Sequence, residues 1–360
     1  MINCLLVEPD YKAKYPNLAL MKLSTKLKNE GKNVDYFKGM KPKTLDHDYH
    51  EIYITTLFTY QSKITIETIK HYKRGYPKAE IQIGGIFASL MPDYVEEQTG
   101  IKPFLGYSKE LDSLKPDYDL IKRGDKYDDY SFVFTTRGCP NKCPYCAVPT
   151  IEKEDWINPN WKTQVNYNRI NISLLDNNLT SQPIEHFKTV MRHMKKYKFN
   201  VVIESGLDAR LFTDEHLGAM KGVKFLRQGI RFAFDDLSRD VYIQDSLMRC
   251  LNAGFKPTQI MVYVLFNFNE TPFEAEWRCR ELVKLGITPY PQRYTPLMVL
   301  SRDEEYTGKY WSDELAMAFR QFYQPQRKST FCKHTFPEWL ELTGKPELLE
   351  DYYRYPWSKP

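Results

Sequence analysis

Three cysteines crowded into eight positions carry the strongest chemical signal in the chain. Cys139, Cys143 and Cys146 stand in TTRGCPNKCPYCAVP with the spacing C-x3-C-x2-C. Thiolates are soft ligands suited to zinc and to iron–sulfur clusters. Three of them on one short loop can take three corners of a cubane 4Fe-4S cluster and leave its fourth iron open, and an open metal position is where chemistry on a bound molecule occurs. A structural zinc ion needs a fourth ligand, and no histidine or further cysteine lies near this loop. Zinc, a disulfide and chance spacing are the competing readings. The remaining cysteines, Cys4, Cys250, Cys279 and Cys332, are scattered, and a total of seven is odd, which argues against a disulfide framework.

Such a loop needs rigid elements to hold it. The first hundred residues alternate apolar runs with helical periodicity: strands at 2–9, 33–37, 52–58 and 80–86, a helix marked by Leu20, Leu23 and Leu27 that Gly31 stops, and another over 62–74. Strands that are apolar throughout and alternate with helices predict a parallel sheet covered on both faces, a Rossmann-like layer. The stretch 94–129, with Pro103, Pro116 and many charges, reads as a looser connector. A second series follows with six strand candidates at 131–136, 169–176, 200–205, 230–235, 259–266 and 287–294. Six βα units predict an open, partial (β/α)6 barrel, since a closed one needs about eight. The cysteine loop directly follows the first of these strands, and polar residues recur at the strand ends, where such folds place active sites. The fold class is therefore α/β, with a Rossmann-like domain over 1–125, a partial barrel over 126–300 and a mainly helical C-terminal extension over 301–360.

At this point the sequence resembles the radical S-adenosylmethionine (radical SAM) superfamily, on the cysteine spacing, the aromatic Tyr145 before the last cysteine and the six-unit barrel pattern. The resemblance implies that Cys139, Cys143 and Cys146 hold a 4Fe-4S cluster whose free iron chelates SAM, and that one electron cleaves SAM to a 5'-deoxyadenosyl radical. It also implies SAM contacts from Tyr145, from Asp176, Asn177 and Asn178 after the second strand, and from Glu204 and Ser205 after the third. Arg210 in GLDAR, Asn267 with the turn to Glu270, and Arg293 complete the set. The family's glycine-rich segment is replaced here by Asp-Asn-Asn. A reductant such as flavodoxin or ferredoxin is implied as partner. Taken singly, these polar residues read equally as turn caps or structural ion pairs.

A Rossmann-like layer ahead of the barrel, with Gly84 and Gly85 after its last strand, resembles the cobalamin-binding-domain radical SAM enzymes and brings in cobalamin as a candidate cofactor for methyl transfer. The Asp-x-His-x-x-Gly segment of those domains is absent after the first strand, which runs EPDYKAKYPN, and His47 and His50 lie in another loop. The glycines read equally as a tight turn. The cysteine loop is also similar to that of radical SAM methylthiotransferases, which modify RNA, although their auxiliary-cluster cysteines are missing, Cys4 being the sole cysteine of the domain. A non-catalytic metal or redox-sensing protein is the reading from a different class. Small molecule, peptide and RNA remain open as substrates. With 42% hydrophobic and 27% charged residues, the composition is that of a globular chain, and its net charge of +5 is dispersed rather than gathered into a nucleic-acid patch. The first apolar run is cut by Glu8 and Pro9, which predicts neither signal peptide nor membrane span and hence a cytoplasmic protein. Cys4, Cys250 and Cys279 read as small core hydrophobes, and His186, His193 and His216 as surface helix residues, with His334 in FCKH packed in the core or on the surface.

Overall fold

The computed structural model describes residues 2–13, 15–42, 48–301 and 306–355, in two compact units: Met1–Leu175 with Leu297–Glu304, and Asp176–Pro296 with Glu305–Pro360. His47 lies outside the described residues. The first unit begins with β1 (Asn3–Glu8), α1 (Leu18–Asn29), β2 (Asn33–Lys38), β3 (Glu51–Thr56), α2 (Ser62–Gly75) and β4 (Glu80–Gly85). All four strands are parallel, in the order β2-β1-β3-β4. The period-2 alternation of β1 splits its side chains between two layers. Leu5 and Val7 pack with Ile52, Ile54, Ile66, Ile69 and Phe87 on one face, while Cys4 and Leu6 pack with Leu20 and Leu27 of α1 on the other. Each such aliphatic side chain contributes about 1.5–3 kcal/mol on burial. Asn17 starts α1 by accepting the Leu20 amide at 3.2 Å, and Gly31, at φ +75°, follows its end.

Beyond β4 come α3 (Ile86–Leu90), α4 (Pro92–Thr99), α5 (Lys109–Asp112), β5 (Tyr130–Val133), β6 (Thr136–Arg137), α6 (Val148–Ile151), β7 (Trp156–Ile157) and β8 (Asn171–Leu174). β5 pairs with β8 in parallel. The segment expected to be a loose connector is instead built into the unit, with α4 and α5 in it and Asp112 and Tyr118 buried. Most of its charges do face solvent, but two are tied into the unit: Asp112 pairs with Lys22 at 2.7 Å, and Asp117 with Lys28 at 2.6 Å while accepting Ser24 Oγ at 2.6 Å.

The second unit holds α7 (Ile184–Lys196), β9 (Asn200–Ile203), α8 (Asp214–Met220), β10 (Lys224–Phe225), β11 (Ile230–Ala233), α9 (Asp240–Asn252), β12 (Ile260–Phe266), α10 (Pro272–Lys284) and β13 (Thr288–Arg293). β11, β12 and β13 form a parallel sheet, and the Ile203 and Leu207 amides donate to the Gly229 and Arg231 carbonyls, so β9 and the turn after it run beside β11. Among the described residues neither unit closes a barrel of its own. α10 opens with a capping box: the Thr271 amide donates to Glu274 at 2.7 Å, the Glu274 amide donates back to Thr271 Oγ1 at 3.2 Å, and Pro272 occupies the first turn. Four helices follow, α11 (Asp313–Phe322), α12 (Lys328–Phe331), α13 (Phe336–Leu342) and α14 (Leu348–Tyr353), as the mainly helical pattern after 301 predicts. Glu276 of α10 pins them, accepting the Phe336 amide at 3.0 Å and the Tyr323 hydroxyl beneath a cluster of Phe319, Phe322, Phe331 and Phe336. His193 and His216 are buried rather than on the surface, because Tyr197 covers one ring and Phe187 the other, while His216 Nδ1 joins the N-cap of α8 at Thr213 Oγ1. Burial holds the His216 imidazole below its usual pKa. Cys4, Cys250 and Cys279 are buried, as expected of small hydrophobes.

Gly85, at φ +121°, turns β4 into α3, and a Cβ there would lie 2.1 Å from the Thr56 carbonyl oxygen. Gly85→Ala is expected to cost at least about 2 kcal/mol. Gly75→Ala, in open space at the end of α2, should cost nothing or add up to about 1 kcal/mol; urea unfolding of the two variants against wild type checks the contrast.

Candidate metal centre

The three cysteines sit on an excursion between β6 and β7, two short strands that pair antiparallel (Thr136 with Ile157, Arg137 with Trp156) and close its base. The chain enters through Gly138 at φ +84°, where an added Cβ would meet the Glu154 carbonyl oxygen at 2.5 Å and Asp155 Oδ1 at 2.6 Å. Only glycine lets the incoming backbone lie this close to the outgoing one. The Cys146 amide donates to the Cys143 carbonyl at 3.1 Å, turning the loop tightly around its last two cysteines. α6 then leads to Glu152, whose amide donates to the Val148 carbonyl at 2.7 Å. Cys139, Cys143, Tyr145 and Cys146 are all half-buried. Among the described residues no three His, Cys, Asp or Glu side chains are gathered into a ready-made metal cage.

Both ends of the loop are held by charge. Arg137 donates through Nε and Nη2 to Asp112 at 2.6 and 3.1 Å and through Nη1 to Glu152 Oε1 at 2.9 Å. Glu152 Oε2 accepts the Gly138 amide at 2.7 Å, so one carboxylate bridges the loop's beginning and its end. The guanidinium stacks 3.3 Å from the centroid of Phe134. Burial alone would raise the Asp112 carboxyl, but Arg137 and Lys22 outweigh it and hold the group below the usual range. None of Lys22, Asp112, Arg137 and Glu152 was picked out from the sequence. The only available signal was Arg137 two residues before Cys139, since the partners are far away in sequence.

The other positions singled out lie in the second unit. Asp176 and Asn178 are buried and Asn177 is half-buried. Asn178 caps a turn, its side chain accepting the Ser181 amide at 3.2 Å and the Thr180 hydroxyl at 2.8 Å, and Thr180 Oγ1 accepts the Asp208 amide at 2.8 Å. The structure thus joins the Asp-Asn-Asn turn to the loop after β9. In that loop Arg210 makes a fork to Asp208, at 2.9 and 2.6 Å, and Ser205 is half-buried. Glu204 binds Arg231 Nη1 at 2.5 Å, and its carbonyl accepts the Tyr263 hydroxyl at 2.9 Å. Asn267, buried at φ +66°, donates to the Tyr294 and Tyr306 carbonyls and accepts the Gly308 amide at 2.9 Å. Arg293 pairs with Asp313 at 2.5 Å, and Glu270, largely buried, has its carboxyl raised by that burial. Arg231, Tyr263 and Tyr290, whose ring lies 5.7 Å from that of Tyr263, belong beside Glu204 and were not picked out. Each stands alone on its own strand, and it is the register of the β11–β12–β13 ladders, which periodicity does not reveal, that brings the three to one face.

The crevice of the N-terminal sheet lies outside the ends of β1 and β3, where the strand order reverses. It is occupied by the protein itself. Tyr11 is buried there, its hydroxyl 2.7 Å from Thr65 Oγ1 and accepting the Leu57 amide, and Leu300 packs on the adjoining core with its carbonyl held by Ser62. The approach that Gly85 permits is taken by Thr56. With no histidine after β1 and the crevice filled, these residues do not fit cobalamin.

No family model and no curated protein matches the chain. Among solved structures it is similar to an ABC transporter periplasmic solute binding protein from Actinobacillus succinogenes with bound D-allose, at 11% identity, over 78% of this chain and 83% of that one, with a TM-score of 0.23. A likeness at that score bears on neither fold nor function.

Gly138→Ala should cost at least about 2 kcal/mol in thermal or urea unfolding and make the 139–151 segment more susceptible to limited proteolysis; unchanged stability and cleavage would mean that the backbone there relaxes.

Proposed function

We propose that the chain is a radical SAM enzyme. The observation that carries this reading is the three-cysteine loop, which follows the parallel strand β5 with both of its ends pinned and its thiols half-buried. The donor set fits a 4Fe-4S cluster, being three soft thiols on one loop, so Cys139, Cys143 and Cys146 would each hold one iron. When bound, the cluster supplies the single electron that cleaves SAM reductively. In this reading β5, β8, β9, β11, β12 and β13 are the successive strands of a partial (β/α)6 barrel.

The chain's own polar residues would bind and orient SAM. Asp176 and Asn177 offer oxygens suited to an ammonium group. Glu204 is held in one orientation by Arg231 and offers an acceptor for ribose hydroxyls. Arg210 reaches a carboxylate by exchanging its present partner, Asp208. The side chains of Asn267 and Arg293 are engaged with the 306–313 region, so their contribution is to shape the strand ends. No helix of the described residues is long and apolar enough to cross a membrane, and the reductant in this reading is a small flavodoxin- or ferredoxin-like carrier. Because the N-terminal crevice does not fit cobalamin, cobalt-dependent methyl transfer is not part of the proposal. Cys4 is buried in β1 with its thiol pushed up to about 11 by burial and Glu51, which disfavours an auxiliary cluster of the methylthiotransferase kind.

Anaerobic reconstitution with iron and sulfide, followed by SAM and dithionite, tests the reading. Wild type is expected to retain about four irons per chain and to release 5'-deoxyadenosine, while the Cys139/Cys143/Cys146→Ala variant does neither. Iron uptake without SAM cleavage, with or without candidate substrates, would favour a redox-sensing or binding role instead.

A further inference from the structure

Lys22, Asp112, Arg137 and Glu152 form one continuous charged chain inside the first unit. Lys22 of α1 meets Asp112 at 2.7 Å, Asp112 meets Arg137 at 2.6 Å, and Arg137 meets Glu152 at 2.9 Å, with side-chain exposures of 2%, 4%, 14% and 8%. Asn158, just past β7, adds a hydrogen bond to the Asp112 carbonyl at 2.8 Å. Buried ion networks are seldom a route to stability, since well-packed apolar side chains do as well, and their best-attested use is to fix a register. The four formal charges cancel, so the network gives the neighbouring thiols a location rather than a net field. Arg137 stands two residues before Cys139 and Glu152 six after Cys146, and a planar guanidinium between two carboxylates fixes both distance and angle as a lysine would not.

We propose that Arg137, Glu152 and Asp112 are positioning residues for the cysteine loop, and that Lys22 anchors them to the N-terminal layer, whose task is to found the metal centre rather than to bind a cofactor of its own. This rests on the reading of the loop as a cluster ligand set. The filled crevice at Tyr11 and the inclusion of the loop in the same compact unit as the N-terminal sheet agree with it.

The test uses the full chain with Arg137→Lys and the near-isosteric Glu152→Gln. Amide hydrogen exchange of the metal-free proteins is expected to accelerate at least about tenfold over 138–152 while β1 and β3 stay protected, because loops without their ties open locally. After reconstitution, iron is expected to be held roughly tenfold more weakly, as on loss of other outer partners of metal ligands, with a broadened EPR signal of the reduced protein and the larger loss in Arg137→Lys. A wild-type chain that takes up no iron overturns the cluster reading and the assignment with it. A wild type that takes up iron, with Glu152→Gln matching it in exchange, iron retention and EPR line shape, overturns the positioning assignment alone.

Discussion

A single guanidinium, that of Arg137, has the most depending on it. It occupies the last residue of a two-residue strand, lies against the ring of Phe134, and pairs with two buried carboxylates, sharing Asp112 with Lys22. Leaving one buried charge uncompensated costs roughly 3–5 kcal/mol. The segment around Asp112, the end of α6 and the clasp of β6 with β7 are therefore mutually dependent. None of them has enough regular structure of its own to be stable in isolation, since α5 and α6 have four residues each and the two strands two each.

The elements were legible in the sequence where their periodicity was strong. The apolar runs of β1, β3 and β12 appear within a residue or two of where patterning puts them, because burial on one or both faces dictates those residues locally. What patterning could not show was long-range charge compensation. The stretch 94–129 looks solvated to any composition-based reading, since the partners that neutralise Asp112 and Asp117 lie some ninety residues earlier in α1. The histidines of α7 and α8 were misjudged for a related reason: an imidazole half covered by an aromatic ring is indistinguishable in sequence from one facing water.

The two groups of candidate residues, one in each unit, were legible to different degrees. The cysteines announce themselves by spacing, whereas Glu204, Arg231, Tyr263 and Tyr290 come from four separate strands or strand ends and become a group only through strand register. Arg231 pairs with Met261 across the β11–β12 ladder and Tyr263 with Tyr290 across β12–β13. A slip of one residue in either ladder would turn these side chains to the opposite face. Buried Ile230, Phe232, Val262 and Val264 on that other face make such a slip costly. The polar group is thus specified indirectly, by the hydrophobic residues that alternate with it.

The bond from the Gly138 amide to Glu152 closes a ring of roughly fourteen residues, and bringing the ends of such a segment together from a free chain carries an entropic cost of about 2 kcal/mol. In the folded protein that cost is met before any metal arrives. In the proposed cluster reading the three thiols would act as one chelating ligand with a high effective concentration rather than as three independent donors. The same string of residues cut out as a linear peptide would then have to supply that ordering from metal binding itself, and would hold iron more weakly with an identical set of ligands.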